Sequence, residues 1–335
     1  MNSLEILHNF DQFKTLSDPR RLAILRLLMA KPATLTQLGR SMGEHPAWVR
    51  HHIKKLEESG LVEISSTQIT GGFVEKYYSA KANALLIQEM ILPQSPQVRT
   101  VVLMGSHDIA LERLAWQLVQ KQAGVNLLVL PVGSLDGLVA LRQGFAHLTG
   151  CHLLDPENGD YNRPYVRHIF PDRDISMVTV AEREQGLILP PGNPLRLHKI
   201  EDLVGPEVRF ANRMCGSGTR LWLDQRLRKE GIHPAQINDY TKEWPTHTAV
   251  ARAISLGEAN AGLGLHAAAR QYDLDFIPLF TERYDLVIPT ERFHDPRLAP
   301  IFEDLQSLEF RKSLKDLSGY DTEATGMPLS VSEHF

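Results

Sequence analysis

Apolar residues recur at helical spacing in three short stretches near the start of the chain. Leu22, Leu25 and Leu28 follow Asp18-Pro19, a capping side chain with proline at the first helical position, so a helix is predicted there. Thr34 caps a second, short helix carrying Leu35, Leu38 and Met42, which stops at Gly43. A third opens at Pro46 with Val49, Ile53 and Leu56 at i, i+4 and i+7. Arg50, His51, Lys54 and Lys55 occupy its other faces, and Gly60 ends it. The period then drops to two around Leu61-Val62-Glu63-Ile64, breaks at Gly71-Gly72 and resumes over Phe73-Val74-Glu75-Lys76-Tyr77-Tyr78, a hairpin signal. Residues 80–92, with Ala84, Leu85, Ile87, Ile91 and Leu92, read as a connecting helix with more apolar surface than solvent contact needs, hence a candidate dimer seam. Pro93-Gln94-Ser95-Pro96 breaks the pattern and marks a domain boundary.

From Arg99 onward, apolar runs of strand length alternate with helical segments. The first set is Thr100 to Met104, a helix from Ser106, Val125 to Pro131, a helix from Ser134 and a run ending near Leu154. A second set starts at Val208-Arg209-Phe210-Ala211 and continues as a helix through Leu221, Leu223 and Leu227. Between them Gly186 to Leu195 reads as a return strand ending in a turn. Such alternation implies parallel sheet covered by helices, and two sets imply two α/β lobes with a cleft between them.

Bulk properties narrow the class. At 335 residues the chain exceeds what one core usually supports. With 43% hydrophobic, 23% charged and 7% aromatic residues it is neither disordered nor fibrous in composition. A formal charge of −4 excludes a chain that coats nucleic acid along its whole length, while leaving room for one basic face. Cys151 and Cys215 lack a paired spacing, so neither a thiolate zinc cluster nor a disulfide framework is expected, and a reducing cytoplasm fits. The 14 histidines make a metal-responsive regulator a further alternative, but they are scattered, His51-His52 falls on the basic third helix, and no metal site is expected. Met1-Asn2-Ser3-Leu4-Glu5 is not a secretory start, and no run reaches the roughly 18 apolar residues of a membrane span.

Helix, short helix, turn, basic helix and hairpin in that order resemble the winged helix-turn-helix of ArsR-type repressors over residues 10–80. The specific matches are Leu16-Ser17-Asp18-Pro19-Arg20-Arg21-Leu22-Ala23-Ile24-Leu25, Val49-Arg50-His51-His52-Ile53-Lys54-Lys55-Leu56 and Gly60-Leu61-Val62. The resemblance implies a third helix in the major groove of double-stranded DNA, a wing on a neighbouring phosphate or minor groove, and a homodimer. Trp48, Arg50, His51, Lys54 and Lys55 are the candidate DNA contacts. Cations on an isolated helix are more often a solvated face, and the hairpin after Gly60 is what reverses the balance in favour of DNA. Leu35-Thr36-Gln37-Leu38-Gly39-Arg40 stands where many ArsR-type sensors carry a cysteine metal motif, so the signal is expected to be sensed elsewhere.

Over about residues 97–322 the chain resembles the type 2 periplasmic-binding-protein fold, in the form attached to helix-turn-helix modules and to molybdenum-cofactor proteins. The matching pieces are Gly150-Cys151-His152-Leu153-Leu154-Asp155 with Tyr161-Asn162, Gly192-Asn193-Pro194-Leu195, Asn212 to Arg220, Gly262-Leu263-Gly264, Tyr284 to Pro289 and Gly319-Tyr320-Asp321.

Ser106, Ser134 and Ser217 each stand where an apolar strand gives way to a helix, where free backbone N–H groups and a partial positive charge select anions. Each is also an ordinary cap taken alone. In Arg213-Met214-Cys215-Gly216-Ser217-Gly218-Thr219-Arg220 the glycines allow close backbone approach and Arg213 or Arg220 can supply a charge-assisted contact, like the anion-cradling loop of phosphate- and tungstate-binding proteins. His152, Asp155, Tyr161, Asn162 and His247 are candidates for the same cleft. Gly262-Leu263-Gly264 is too short for a dinucleotide site.

The sequence thus predicts a multidomain protein: an α+β winged helix-turn-helix over 1–80, a connecting helix and linker over 81–96, and a two-lobed α/β periplasmic-binding-protein-like domain over 97–335. The expected function is that of a cytoplasmic one-component transcriptional regulator, without a cofactor, sensing a small anionic ligand. Tungstate or molybdate is the ligand implied by resemblance. The alternatives are a molybdopterin-type cofactor as ligand, or an enzyme or accessory protein of molybdenum-cofactor metabolism, for which no nucleophile–base pair is legible.

Overall fold

The computed structural model describes residues 4–7, 9–70, 73–93 and 95–330. The chain forms two compact units, Met1–Ile91 and Leu92–Phe335.

The first unit runs β1 (Glu5–Leu7), α1 (Phe10–Leu16), α2 (Pro19–Ala30), α3 (Leu35–Met42), α4 (Pro46–Glu58), β2 (Val62–Thr70), β3 (Phe73–Ala80) and β4 (Leu85–Ile87). The predicted punctuation is where the helices start and stop. Asp18 accepts from the Arg20 N–H at 2.9 Å, and Thr34 and Gln37 cap each other reciprocally at 3.2 and 2.9 Å. Gly43 takes φ 71° to end α3. Ile24, Leu25, Leu28, Leu38, Val49, Ile53 and Leu56 form one buried core beneath β2 and β3, which pair antiparallel from Val62↔Ala80 with a bulge after Ile64. The predicted Gly71-Gly72 break lies outside the described residues, as do Gln94 of the predicted boundary and the Met1-Asn2-Ser3 start. Short α1 has no counterpart in the sequence reading.

The connecting helix over 80–92 is not there. Leu85–Ile87 is instead a strand in parallel register with Glu5–Leu7, and the rest of the segment is irregular. The ladder to β1 satisfies backbone groups that a helix would have paired internally, and Leu86, Ile87 and Ile91 stand exposed.

The second unit opens with β5 (Arg99–Gly105), α5 (Ile109–Gln120), β6 (Val125–Pro131), α6 (Ser134–Arg142), β7 (Thr149–Cys151) and α7 (Arg163–Ile169). The long β8 (Ile175–Leu189) follows, then β9 (Phe210–Arg213), α8 (Gly218–Lys229), β10 (Glu243–Trp244), α9 (His247–Ser255), β11 (Ala261–Leu265), α10 (His266–Gln271) and the long β12 (Asp275–Pro289). The unit ends with α11 (Ala299–Gln306), α12 (Leu308–Lys315), β13 (Tyr320–Asp321) and β14 (Pro328–Ser330). The architecture is the expected two-lobed α/β fold, with a mixed rather than wholly parallel sheet. β5–β6, β9–β10 and β9–β11 are parallel, whereas β8 and β12 are antiparallel from Asp275↔Leu189 to Pro289↔Ile175. These two 15-residue strands link the lobes: at one end β11 joins β8, and at the other β7 joins β12 and β14 joins β8. One core gathers Leu187, Leu189, Phe210, Leu223 and Leu263 on the β9 side, and another gathers Leu138, Leu141, Val166, Met177 and Val287 on the β7 side.

Candidate functional site

The two long strands are apolar at both ends and polar in the middle. On β8, Arg183 and Gln185 lie two residues apart and so share a face. Arg183 is directly opposite Glu282 of β12 and Tyr320 of β13. It is fully buried, donates from Nε to Glu282 Oε1 at 2.7 Å, pairs with Asp108 at the head of α5, and lies 4.3 Å over the Tyr284 ring. Gln185 Nε2 donates to Glu282 Oε1 at 2.5 Å and to Thr219 Oγ1 of α8 at 2.9 Å.

Glu282 is also bound from the opposite side. His152, just past β7, places Nδ1 2.7 Å from Glu282 Oε2 and Nε2 2.8 Å from Ser106 Oγ. Burial alone would raise the Glu282 carboxyl, but His152 and Arg183 outweigh it and hold the group below its ordinary value. Burial pushes the His152 imidazole down against the pull of Glu282. A neutral ring beside an ionised carboxylate carries its proton on Nδ1, so Nε2 accepts the Ser106 hydroxyl hydrogen. This hydroxyl–imidazole–carboxylate line is the nucleophile–base order that the sequence reading did not find.

Arg213 ends β9 facing the same group. It is 1% exposed, donates from Nη1 to the Trp244 carbonyl at 2.8 Å, and leaves Nε and Nη2 without a partner among the described residues. Among the described residues no carboxylate forms an ion pair with it; burial, and then neighbouring Arg183, push it down to about 9. His247, at the start of α9, is fully buried with both ring nitrogens unpartnered, and burial followed by the charges of Arg213 and Arg183 holds it well below the ordinary histidine value. The elements close tightly here. A Cβ on Gly218 would fall 2.3 Å from the His152 carbonyl, so only glycine lets α8 begin where it does.

Of the sequence candidates, Ser106, His152, Arg213, Gly218, Thr219 and His247 come together around Arg183 and Glu282, and Ser134 joins them by accepting the His152 N–H at 3.3 Å. The others are occupied. Ser217 caps α8, accepting from Arg220 N–H at 3.3 Å and donating to the Met214 carbonyl at 2.8 Å. Arg220 turns outward to Asp224 and Glu243 and stacks 4.4 Å over Tyr240. Asp155 accepts from Glu157 N–H in an exposed turn. Asn162, at φ 67°, spends its amide on Leu153, Cys151 and Asp285. Tyr161 donates to the Thr281 carbonyl at 3.3 Å at the margin, its phenol pushed up by burial and then by Glu282. Ser106 does not cap α5, as expected of it; Asp108 does, accepting from Ala110 N–H at 2.6 Å.

In the first unit α4 buries Val49, His52, Ile53 and Leu56 and turns Arg50, His51, Lys54 and Lys55 to solvent. Lys54 and Lys55 reach Glu58 at 3.9 and 2.9 Å. Trp48 is half-buried, its ring 4.3 Å from that of His52, so it belongs more to the core than to the exposed face. Arg50 lines a hollow of about 300 Å³ with Thr34, Thr36 and Lys76 of the wing. Residues 1–91 carry 11 Lys and Arg against 9 Asp and Glu, so the unit is slightly cationic although the chain is anionic.

Among the described residues no group of three or more His, Cys, Asp or Glu is placed to hold a metal ion, and no helix is long and apolar enough to cross a membrane. A family described as PBP superfamily domain matches residues 115–306, and one described as helix-turn-helix domain matches residues 16–65. The protein YvgK of Bacillus subtilis (strain 168) is 34% identical over 231 residues, covering 69% of this chain and 74% of YvgK. A putative phosphate ABC transporter substrate-binding protein with bound phosphate from Clostridium perfringens superposes with a TM-score of 0.49 at 14% identity, over 67% of this chain and 99% of the other. A tungstate ABC transporter structure from Geobacter sulfurreducens gives 0.45 at 13% identity, over 65% and 98%.

Proposed function

We propose, since this chain belongs to the PBP superfamily and carries a helix-turn-helix domain ahead of its PBP-like domain, that it is a one-component regulator that binds DNA through α4 and senses a small anionic ligand in the cleft between the lobes. The observation that carries the ligand reading is Arg213. A fully buried guanidinium with two nitrogens unpartnered and no carboxylate paired to it among the described residues is costly to fold, and an anion delivered to it removes that cost. Around it Thr219 and Ser134 retain hydroxyl hydrogens, and the N-termini of α8 and α9 add partial positive charge. An anion held at once by Arg213 and Thr219 on one lobe and by the Ser134 side on the other favours closure about β8 and β12, and closure is the event that would alter DNA affinity.

Tungstate and molybdate, the oxyanions implied by the sequence resemblance, are the first reading of the ligand. A molybdopterin-type cofactor, with an anionic group on a larger hydrogen-bonding frame, is the second, favoured by the buried acceptor Gln185 Oε1, which no described donor reaches. On the DNA side Arg50, His51, Lys54 and Lys55 face the major groove of a palindromic site, bound by a homodimer in the cytoplasm. The seam of that dimer is proposed along the exposed Leu86, Ile87 and Ile91.

Calorimetry with tungstate, molybdate, phosphate and a pterin phosphate tests the ligand reading. Arg213→Ala is expected to weaken whichever anion binds by about 1.5–3 kcal/mol, the range for hydrogen bonds to charged groups. A variant that melts earlier but binds with unchanged affinity would place the site elsewhere.

A further inference from the structure

The acceptors in the cleft are as constrained as the donors. Gln185 cannot exchange its amide oxygen and nitrogen, because its Nε2 sits 2.5 Å from the ionised Glu282; its Oε1 is therefore fixed as an acceptor, buried and without a partner. His107 is 4% exposed and places Nε2 2.8 Å from Glu112 Oε1, so in the neutral ring the N–H sits on that nitrogen and buried Nδ1, without a partner among the described residues, is the acceptor. The His107 ring centroid is 6.0 Å from that of His247, which sets this ring beside the same cluster. Ser106 has given its hydrogen to His152 and so offers oxygen lone pairs rather than a donor.

We propose that the cleft selects an anion carrying its own hydrogen-bond donor, a protonated oxyanion or an anionic group flanked by hydroxyl or N–H, over a fully deprotonated oxyanion that offers acceptors alone. The inference rests on the anion reading above and reorders its ligands, placing tungstate and molybdate below anions that carry a donor. An acceptor-only dianion satisfies Arg213 and Thr219 but turns lone pairs toward Gln185 Oε1 and His107 Nδ1, which then stay buried and unpaired. A ligand with an O–H or N–H opposite Arg213 satisfies both sides. A site built to pair with a substrate hydrogen rejects the analogue lacking it far more strongly than an apolar pocket rejects a missing methyl group.

The test uses the full chain at pH 7 and isothermal calorimetry with inorganic phosphate and glycerol phosphate, which carry O–H groups, against tungstate, molybdate and sulfate, which carry none. At least one phosphate probe is expected to bind tenfold or more tightly than every acceptor-only anion. Gln185→Leu is expected to shrink that ratio about tenfold, because it weakens the donor-bearing probes and not the others. The ratio is read within one variant, so a general loss of stability cancels. His107→Leu, away from the Glu282 network, serves the same purpose if Gln185→Leu does not fold. Equal affinity for both classes in the wild-type protein, or a ratio unmoved in both variants, overturns the donor requirement and leaves the anion site standing. Failure of all five anions to bind overturns the anion reading, and the donor requirement with it.

Discussion

In the first unit Arg50, His51, Lys54 and Lys55 stand in solvent on one helix, and two of them lean on Glu58; in the second, Arg183 and Arg213 are sealed from solvent. Arg183 is neutralised by Asp108 and Glu282, whereas no carboxylate among the described residues forms an ion pair with Arg213. Exposed cations cost nothing to fold and are screened by salt, so they suit a partner that presents a periodic row of phosphates. A buried cation without a counter-ion is kept at the expense of stability, which points to a discrete partner that enters and leaves.

The same substitution made in both units breaks this comparison if it is wrong. Arg213→Met is expected to raise the stability of the ligand-free protein by on the order of 1–4 kcal/mol, as replacement of buried charge by matched apolar volume does, while weakening anion binding by about 1.5–3 kcal/mol. Arg50→Met should leave the urea midpoint unchanged. Destabilisation by Arg213→Met would mean that its guanidinium is a structural partner of the Glu282 network and not a receptor.

A smaller effect is expected on DNA. Arg50→Ala with Lys54→Ala should lower affinity for the protein's own promoter and reduce the slope of log K against log salt by about 2, roughly one for each phosphate no longer neutralised. An unchanged slope would show that α4 presents a merely solvated face.

How much of this was legible follows from where each signal sits in the chain. Asp18, Thr34, Gly43 and Pro46 act within one helical turn, so the first unit could be read locally. Arg213, Gly218 and Thr219 could be singled out as candidates because glycine spacing at a strand–helix junction is also local. The polar middle of the two long strands was not singled out. Arg183, Gln185 and Glu282 lie in the middle of strands, and their meaning depends on β8 pairing with β12 about a hundred residues away. The signal was present in Glu182-Arg183-Glu184-Gln185, a polar block inside an otherwise apolar run, in which Glu182 faces solvent and Glu184 is half-buried while Arg183 and Gln185 on the other face are sealed. Residues 80–92 failed for the complementary reason, since their partner Glu5–Leu7 is distant in sequence.

Acid should affect the cleft through its histidines. His247 and His152 are held below the ordinary value of about 6.5 in the folded protein, so below that pH the unfolded chain binds more protons than the native one. Stability contributed by keeping them neutral is therefore present above about pH 6.5 and lost as the pH falls toward their depressed folded values. Urea midpoints followed by circular dichroism should drop between pH 7.5 and 5.5 by the equivalent of about 2 kcal/mol, and His247→Gln should remove about half of that slope. A flat profile would mean that the rings are already charged in the fold.

The smallest effects come from two caps that look alike in sequence. Thr34 and Ser217 both open a helix, and both accept the backbone N–H three residues on, at 3.2 and 3.3 Å. Thr34 stands in the first unit with no ligand reading attached, whereas Ser217 lies in the loop predicted to cradle an anion. If the Ser217 hydroxyl is spent on the Met214 carbonyl, as its 2.8 Å contact indicates, the two residues do the same work. Thr34→Ala and Ser217→Ala should then each cost about 1 kcal/mol of stability, and Ser217→Ala should leave anion affinity within about twofold. Loss of affinity in Ser217→Ala beyond that of a Thr219→Ala control would show that the hydroxyl leaves its cap to meet the ligand, and that the α8 terminus rearranges on binding.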